Sequence, residues 1–218
     1  MQLFHKNNGK NSLLIFFSGW ALDFTPLAHL FSDEVLSEKD LLFVWDYRST
    51  DFNFDFSQYE KIDVLSFSYG VFMSQFVDIP KIHSNIAICG TLFPINREHG
   101  ISPKIFDLTL KTLNKENLQR FYQNMFNEEN EFEKFMQLNK NSQLNIENLK
   151  QELETIKALA SKEINAERKF TKAFVSNNDK IIPARAQRAF WQDKINITQL
   201  NSGHFPFFKI GLEDLLNE

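Results

Sequence analysis

The chain of 218 residues contains one cysteine, seven glycines and no long hydrophobic run. A single cysteine excludes an internal disulfide framework and favours a reducing compartment. The longest early apolar run, residues 13–17, is far shorter than the ~20 residues that a transmembrane helix needs. The N-terminus also lacks the pattern of a secretory signal. These absences predict a cytoplasmic protein that does not bind a membrane.

Basic residues are not in excess either, because the formal net charge is −4. Nucleic acid binding usually requires a basic surface, so no nucleic acid partner is expected. The few glycines form neither a G-x-G-x-x-G motif nor a P-loop, and no His, Cys and carboxylate cluster has zinc-ligand spacing. What the chain does have is 43% hydrophobic residues, including 24 phenylalanines. The sequence therefore predicts one globular domain, residues 1–218, without cofactor or metal.

Short apolar runs alternate with helical segments early in the chain and again near its end. The predicted strands are residues 13–17, 41–45, 62–67, 86–89, 170–175 and 195–200. Short runs rich in Leu, Ile, Val and Phe are typical of buried parallel strands. From about 102 to 167 the strand signals vanish and helical signals replace them. The pattern predicts an α/β fold with a mostly parallel sheet and a helical lid inserted after the fourth predicted strand.

The clearest chemical motif is Ser66-Phe67-Ser68-Tyr69-Gly70, at the point where a predicted strand turns directly into a helix. A nucleophile elbow is tight and strained, so the residues two before and two after the nucleophile must be small. Ser66 and Gly70 meet that condition. By itself the motif also fits an ordinary strand-to-helix turn with a capping serine. If a base and an acid accompany it, Ser68 is the predicted nucleophile.

His204 is the candidate base, because it follows the last predicted strand and Gly203 gives its loop freedom to turn. The acid should lie between the two in sequence, since the α/β-hydrolase order is Ser, acid, His. Asp179 follows the fifth predicted strand, at the sheet edge where open α/β sheets bind ligands. Asp193 is the alternative, but it precedes a strand and would lie at the opposite edge. We predict a triad of Ser68, Asp179 and His204.

Two backbone N–H groups are predicted to bind an oxyanion. The Tyr69 N–H begins the helix behind the nucleophile, where the helix dipole adds to its effect. The Trp20 N–H lies in the loop after the first predicted strand, where Gly19 permits close approach to a substrate. The Trp20 ring is predicted either to line an acyl pocket or to belong to the core. Together these residues predict two-step acyl transfer from an ester to water.

Several further segments stand out beside the elbow. They are Phe17-Ser18-Gly19-Trp20-Ala21-Leu22-Asp23, Trp45-Asp46-Tyr47-Arg48, Gly90-Thr91-Leu92-Phe93-Pro94-Ile95 and residues 179–191. Over nearly the whole chain the sequence resembles the BioG-type pimeloyl-acyl carrier protein methyl ester esterases. The resemblance implies a serine esterase of biotin biosynthesis that hydrolyses the methyl ester of pimeloyl-acyl carrier protein, with the triad given above. Ser66, often Gly or Ala in the family, and Trp45, where Tyr is more usual, are modest departures.

An acyl carrier protein is acidic, so a net negative enzyme needs a local basic patch to bind it. Lys104, Lys111, Lys115 and Arg120 cluster at the start of the predicted lid, although they also fit a solvated helix face. Two other functions stay open. One is a broader carboxylesterase or thioesterase, and the other is a non-catalytic hydrolase-fold protein that binds a partner.

Overall fold

A computed structural model describes residues 1–32, 34, 36–162 and 169–217. The strands are β1 (Gln2–Lys6), β2 (Ser12–Phe17), β3 (Asp40–Trp45), β4 (Lys61–Phe67), β5 (Ile82–Ile88), β6 (Lys172–Ser176) and β7 (Asn196–Leu200). The α-helices are α1 (Tyr69–Met73), α2 (Pro103–Thr112), α3 (Lys115–Asn124), α4 (Glu129–Asn139), α5 (Ile146–Ala160), α6 (Ala184–Trp191) and α7 (Leu212–Asn217). Two 3₁₀ helices cover Thr25–Leu30 and Ser74–Phe76. None of the helices in the described ranges is long and apolar enough to cross a membrane.

All seven strands form one sheet in the order β1-β3-β2-β4-β5-β6-β7. Only β1 runs antiparallel to its neighbour, and every other pair is parallel. The central strands are buried on both faces, which explains their continuous apolar sequences: Leu13 to Phe17 have no exposed surface. The α/β fold with a mostly parallel sheet is therefore confirmed.

Phenylalanine rings fill the space between the sheet and its covering helices. The ring centroid of Phe16 lies 5.4 Å from that of Phe43, 5.5 Å from that of Phe31 and 5.8 Å from that of Phe207. Such ring pairs contribute beyond the area they bury. The high phenylalanine content thus forms the core of the domain.

The winding of the chain reverses at the centre of the sheet. The chain runs from β2 to β3 on one side and then returns to place β4 on the other side of β2. Open α/β sheets bind ligands outside the carboxyl ends of strands at such a switch point. The segments that follow β2 and β4 are the Trp20 loop and the Ser68 elbow, so the topology brings these two predicted parts of the site together.

Four helices, α2 to α5, separate β5 from β6 in the chain, and residues 103–160 are called the helical insertion below. Asn114 separates α2 from α3. Its side chain accepts a hydrogen bond of 2.9 Å from the Asn117 N–H and so caps the start of α3. Asn145 caps α5 in the same way, accepting from the Asn148 N–H at 2.9 Å. The last part of the predicted lid, residues 163–168, lies outside the described residues.

Candidate active site

Ser68 lies on a sharp turn between β4 and α1. Its backbone adopts φ 55° and ψ −123°, a conformation that non-glycine residues rarely hold. The turn is fixed by a hydrogen bond of 2.9 Å from the Ser68 N–H to the Ile88 carbonyl at the end of β5. A Cβ atom on Gly70 would lie 2.3 Å from the Phe17 carbonyl oxygen, so the helix can approach β2 only because this residue is glycine. The local geometry is that of a nucleophile elbow.

Three side chains that are distant in sequence form one hydrogen-bonded row beside the elbow. The Ser68 Oγ lies 2.9 Å from His204 Nε2, and His204 Nδ1 lies 2.7 Å from Asp179 Oδ2. His204 is 1% exposed, so water does not compete for these contacts. Asp193, the alternative acid, lies between α6 and β7 at the amino end of β7, away from this row. The three residues predicted as a triad are therefore linked by hydrogen bonds through His204.

The Asp179 carboxylate accepts four hydrogen bonds. Its Oδ1 accepts from the backbone N–H groups of Ile181 at 2.8 Å and Ile182 at 2.9 Å. Its Oδ2 accepts from His204 Nδ1 and, at 2.8 Å, from Gln187 Nε2. A carboxylate can only accept, so Nδ1 of the imidazole carries its hydrogen and Nε2 is free to accept the Ser68 proton. This is the tautomer that general-base catalysis requires.

The Trp20 loop lies against the elbow from the other side of the switch point. A Cβ atom on Gly19 would lie 3.1 Å from the Ser68 Cβ, so a larger residue there would press on the nucleophile. The Tyr69 N–H opens α1, and neither it nor the Trp20 N–H has a hydrogen-bond partner among the described residues. Both N–H groups are thus without a competing acceptor among these residues, and their role as oxyanion donors stays a prediction.

The Trp20 loop is held rigidly by two buried tyrosines. The Tyr47 hydroxyl, at the end of β3, donates to the Ser18 carbonyl at 2.6 Å, and burial raises the pKa of that hydroxyl well above its usual value. The Tyr122 hydroxyl, on α3, donates to the Ala21 carbonyl at 2.9 Å. Fixed donors cost no reorganisation during a reaction, which is what an oxyanion site needs. Neither hydroxyl was assigned a role from the sequence.

The Trp20 ring contacts the helical insertion. Its Nε1 donates to the Leu149 carbonyl on α5 at 2.9 Å, and its ring centroid lies 4.9 Å from that of Phe121 on α3. The ring is 3% exposed and yet lines the cavity above Ser68. The ring is thus at once a core aromatic and a wall of this cavity, and its role in an acyl pocket stays a prediction.

A cavity of about 260 Å³ lies between the elbow and the helical insertion. Its walls are mainly apolar, with Ile105 and Phe106 from α2 and Leu153 from α5. Arg120 and Lys180 are its two basic residues. Among the described residues, no three His, Cys, Asp or Glu side chains are grouped so as to hold a metal ion. The cavity suits an extended apolar chain whose reacting carbonyl lies beside Ser68.

The family model described as pimeloyl-ACP methyl esterase BioG matches residues 1–213. The chain belongs to the BioG family. The crystal structure of BioG from Haemophilus influenzae superposes with a TM-score of 0.91, at 23% identity and over 99% of each chain. An esterase from Exiguobacterium antarcticum superposes with a TM-score of 0.68, at 12% identity, over 94% of this chain and 89% of that one. These neighbours confirm the α/β-hydrolase fold, and the family confirms the predicted resemblance.

A relative of known name can also be compared with this BioG family member. Over 211 residues the chain is 35% identical to a protein of Bacteroides fragilis (strain 638R) named malonyl-[acyl-carrier protein] O-methyltransferase. The match covers 94% of this chain but only 42% of that protein. More than half of the relative thus lies outside the match. Its name therefore does not assign methyl transfer to the part that a BioG family member shares.

Proposed function

We propose that the chain hydrolyses the methyl ester of a pimeloyl group carried by acyl carrier protein, as a step of biotin biosynthesis. The observation that carries this is the hydrogen-bonded row from Ser68 through His204 to Asp179, which opens into an apolar cavity. The family description names the same reaction. The methyl transfer named for the B. fragilis relative finds no comparable support, since the sequence has no glycine-rich nucleotide motif.

The proposed reaction is acyl transfer in two steps. His204 Nε2 accepts the proton of the Ser68 hydroxyl while the oxygen attacks the ester carbonyl carbon. The negative charge on the carbonyl oxygen is stabilised by the Trp20 and Tyr69 N–H groups. The imidazolium, oriented by Asp179, then gives its proton to the methoxy oxygen, and methanol leaves. Water attacks the acyl-serine by the same route: His204 takes one of its protons and passes it to the Ser68 oxygen, and the carboxylic acid that is released loses its remaining proton to solvent.

The enclosure of Ser68 limits how a carrier-bound methyl ester can reach it. Ser68 is only 6% exposed, so its carbonyl partner must enter the cavity beneath the helical insertion, which acts as a lid. A methyl ester at the free end of an acyl chain can enter in this way. The carrier protein at the other end is too large to enter and would stay outside the cavity. We propose that the methyl end is the one presented to the nucleophile.

The decisive experiment compares wild type with Ser68→Ala on methyl pimeloyl-acyl carrier protein, with mass spectrometry of the acyl group. We expect the wild type to remove 14 mass units, one methylene equivalent, while the thioester survives. Ser68→Ala should be inactive, because no acyl-serine can form. Ser74→Ala is the matched control, since Ser74 is buried as well but its hydroxyl donates to the Val71 carbonyl at 3.0 Å. It should retain wild-type turnover.

Three outcomes separate the competing functions. Cleavage of the thioester instead of the methyl ester would identify a thioesterase. Faster turnover of short aryl esters than of carrier-bound substrate would identify a broader carboxylesterase. Failure of the wild type to react with a fluorophosphonate probe would favour a non-catalytic binding protein. Complementation of a biotin-requiring strain that lacks its esterase, with Ser68→Ala as control, tests the proposed role in the cell.

We further propose that acyl carrier protein docks on the outer face of α2. Lys104 and Lys111 lie on that face, and neither has an ion-pair partner among the described residues. The acidic residue between them, Asp107, is neutralised by Lys157 at 2.7 Å. The neighbouring Leu108 is 60% exposed although it lines the cavity mouth. A basic and partly apolar rim of this kind complements an acidic carrier.

The remaining basic residues of the predicted patch contribute less. Arg120 is paired with Glu116 at 2.6 Å, one helical turn away, and Lys115 begins α3 after the break at Asn114. The docking hypothesis therefore rests on Lys104 and Lys111. The matched control lies at the opposite edge of the sheet, where Lys61 opens β4 and Lys169 precedes β6, both exposed.

The docking test replaces both α2 lysines with glutamate. Lys104→Glu with Lys111→Glu should raise KM for carrier-bound substrate about tenfold or more at low salt, because two attractive charges become repulsive. Turnover of a small methyl ester should stay unchanged. Lys61→Glu with Lys169→Glu makes the same change in net charge and should affect neither substrate. Equal losses on the carrier-bound and the small substrate in the α2 variant would exclude docking at this face.

A further inference from the structure

Gln187 is a fully buried polar residue that neither the motifs nor the proposed mechanism uses. It lies in α6 with no exposed surface. Its Nε2 donates two hydrogen bonds, to Asp179 Oδ2 at 2.8 Å and to the Ile182 carbonyl at 2.7 Å. Both partners can only accept, so the amide can be placed in one orientation alone, with its nitrogen towards Asp179. α6 is thereby joined directly to the acid beside His204.

The other end of the same amide is unsatisfied. The Gln187 Oε1 is buried and has no hydrogen-bond partner among the described residues. An unpaired buried acceptor lowers stability, and an apolar side chain of similar volume would avoid that loss. The presence of glutamine at this position is therefore explained by its nitrogen and not by packing.

Gln187 Nε2 and His204 Nδ1 both donate a hydrogen bond to the same oxygen, Asp179 Oδ2. A hydrogen bond to a carboxylate stabilises its charged form and reduces the charge that it offers to a second donor. The second donor here is His204 Nδ1, at 2.7 Å. Without the Gln187 amide, this oxygen would interact with the imidazole alone, since the side chains of Asp179 and His204 are 0% and 1% exposed.

We propose that Gln187 is a positioning residue for the triad, whose amide fixes the Asp179 carboxylate and limits the negative charge that it presents to His204. The inference rests on the proposed roles of Asp179 and His204. It predicts that loss of the amide strengthens the attraction between Asp179 and the imidazolium. The imidazole of His204 should then hold a proton at higher pH, which makes it unavailable as a base over a wider range.

The test replaces Gln187 with methionine, which has a similar volume and no N–H donor. The protonation of His204 is followed by NMR titration of its imidazole, assigned by comparison with His204→Asn. We expect Gln187→Met to raise the imidazole pKa by roughly 0.5–1 unit. The acid limb of the pH profile of kcat/KM should move upward by the same amount.

Gln75→Met is the matched control. Gln75 also donates from Nε2 to a backbone carbonyl, that of Phe72 at 2.9 Å, and its Oε1 is likewise buried and unpaired. It lies in the 3₁₀ helix after α1 and makes no hydrogen bond to the triad among the described residues. We expect this variant to leave the His204 titration and the pH profile unchanged. A folded Gln187→Met protein with the wild-type titration and profile would overturn the proposal.

Gln187→Glu keeps the proposal testable if the methionine variant does not fold. Two acceptors face the new carboxyl group, so it should stay protonated at low pH and donate to one of them. At a pH above the pKa of the new carboxyl group, its negative charge would repel Asp179. Turnover should then decline with rising pH in a range where the wild type is still active. A wild-type profile would overturn the proposal. Because NMR needs no turnover, a wild type without esterase activity would reject the proposed function while the titration still decides the role of Gln187.

Discussion

Gly70→Ala should separate the two halves of the predicted oxyanion site. A Cβ atom at this position would lie 2.3 Å from the Phe17 carbonyl oxygen and 2.6 Å from that of Ser18. Ordinary contact begins at 3.4 Å, so the start of α1 and the end of β2 must move apart by the difference, 1.1 Å. Neither neighbour can yield by rotating a side chain, because both contacts are with backbone atoms.

This displacement acts on the atoms that bind the oxyanion. The Tyr69 N–H moves with α1, whereas the Trp20 N–H moves with the loop after β2, which Tyr47 holds in place. A misplacement of about 1 Å can reduce a rate ~10²-fold, and loss of one oxyanion donor about 10²- to 10³-fold. We expect kcat to fall by about 10²-fold with little change in KM. Overpacking should also lower the free energy of unfolding by about 1–3 kcal/mol.

Steady-state kinetics on a methyl ester, together with thermal unfolding, measure the two effects separately. Gly211→Ala is the control, because a Cβ atom there meets only the Asp214 carboxylate, at an ordinary 3.6 Å. It should leave kcat unchanged. A folded Gly70→Ala enzyme with kcat within about threefold of the wild type would refute the reasoning, since the site would then tolerate the separation of its donors.

Three further variants test other parts of the site. Burial raises the pKa of Glu152 to about 8 from its usual 4.5, so the folded protein keeps a proton that the unfolded chain has lost. The free energy of unfolding should therefore decrease with rising pH across that interval, by at most about 1.4 kcal/mol per unit. Glu152→Gln should remove this slope in urea titrations, and equal slopes in both proteins would contradict it. Trp20→Phe removes the side-chain hydrogen bond to the Leu149 carbonyl but keeps the backbone N–H of residue 20. It should lower the free energy of unfolding by about 1 kcal/mol and leave kcat nearly unchanged. A loss of kcat as large as that of Gly70→Ala would contradict this. Asp179→Asn should lower kcat about 10⁴-fold by favouring the wrong imidazole tautomer, whereas Asp193→Asn should not, and the reverse result would reassign the acid.

Hydrophobic patterning predicts the central strands because they are buried on both faces. It fails for β1, the edge strand that pairs only with β3. Three of its five residues are exposed, so Gln2–Lys6 forms no apolar run. It also places the start of β5 four residues late, because the strand begins with the exposed residues Ile82 and His83 before its apolar part. Exposed strand segments such as these are set by backbone pairing, which leaves little trace in hydrophobic pattern.

The candidate triad was predictable for a related reason. Its three members follow strand ends, and parallel strands bring their carboxyl ends to one edge of the sheet. Gln187, Tyr47 and Tyr122 have no such signal. Each acts through a contact with a distant backbone or side-chain atom that only the tertiary packing defines. The sequence thus predicts the groups that would react and misses those that hold them in place.

The helical insertion is part of this holding framework. Four hydrogen bonds join it to loops of the site. Three of its backbone carbonyls accept: that of Leu149 from Trp20 Nε1, that of Met125 from the Phe205 N–H and that of Phe126 from Lys180 Nζ. In the fourth, the Tyr122 hydroxyl donates to the Ala21 carbonyl. At about 0.5–1.5 kcal/mol each, they oppose movement of the whole insertion by about 2–6 kcal/mol. A rigid-body opening would also carry away the support of the predicted oxyanion loop.

α2 is held differently from the rest of the insertion. Its link to α5 through a side chain is the exposed pair of Asp107 and Lys157, a type of contact worth about 0–1 kcal/mol. It is also attached through the buried Phe106 and, at its end, through a hydrogen bond of 2.7 Å from Asn117 Nδ2 to the Thr112 carbonyl, while Ile105 and Leu108 are 59% and 60% exposed at the cavity mouth. Movement of α2 alone would widen the cavity without breaking the four bonds that hold the site. Substrate entry is therefore expected at α2, on the same face where the carrier protein is proposed to dock.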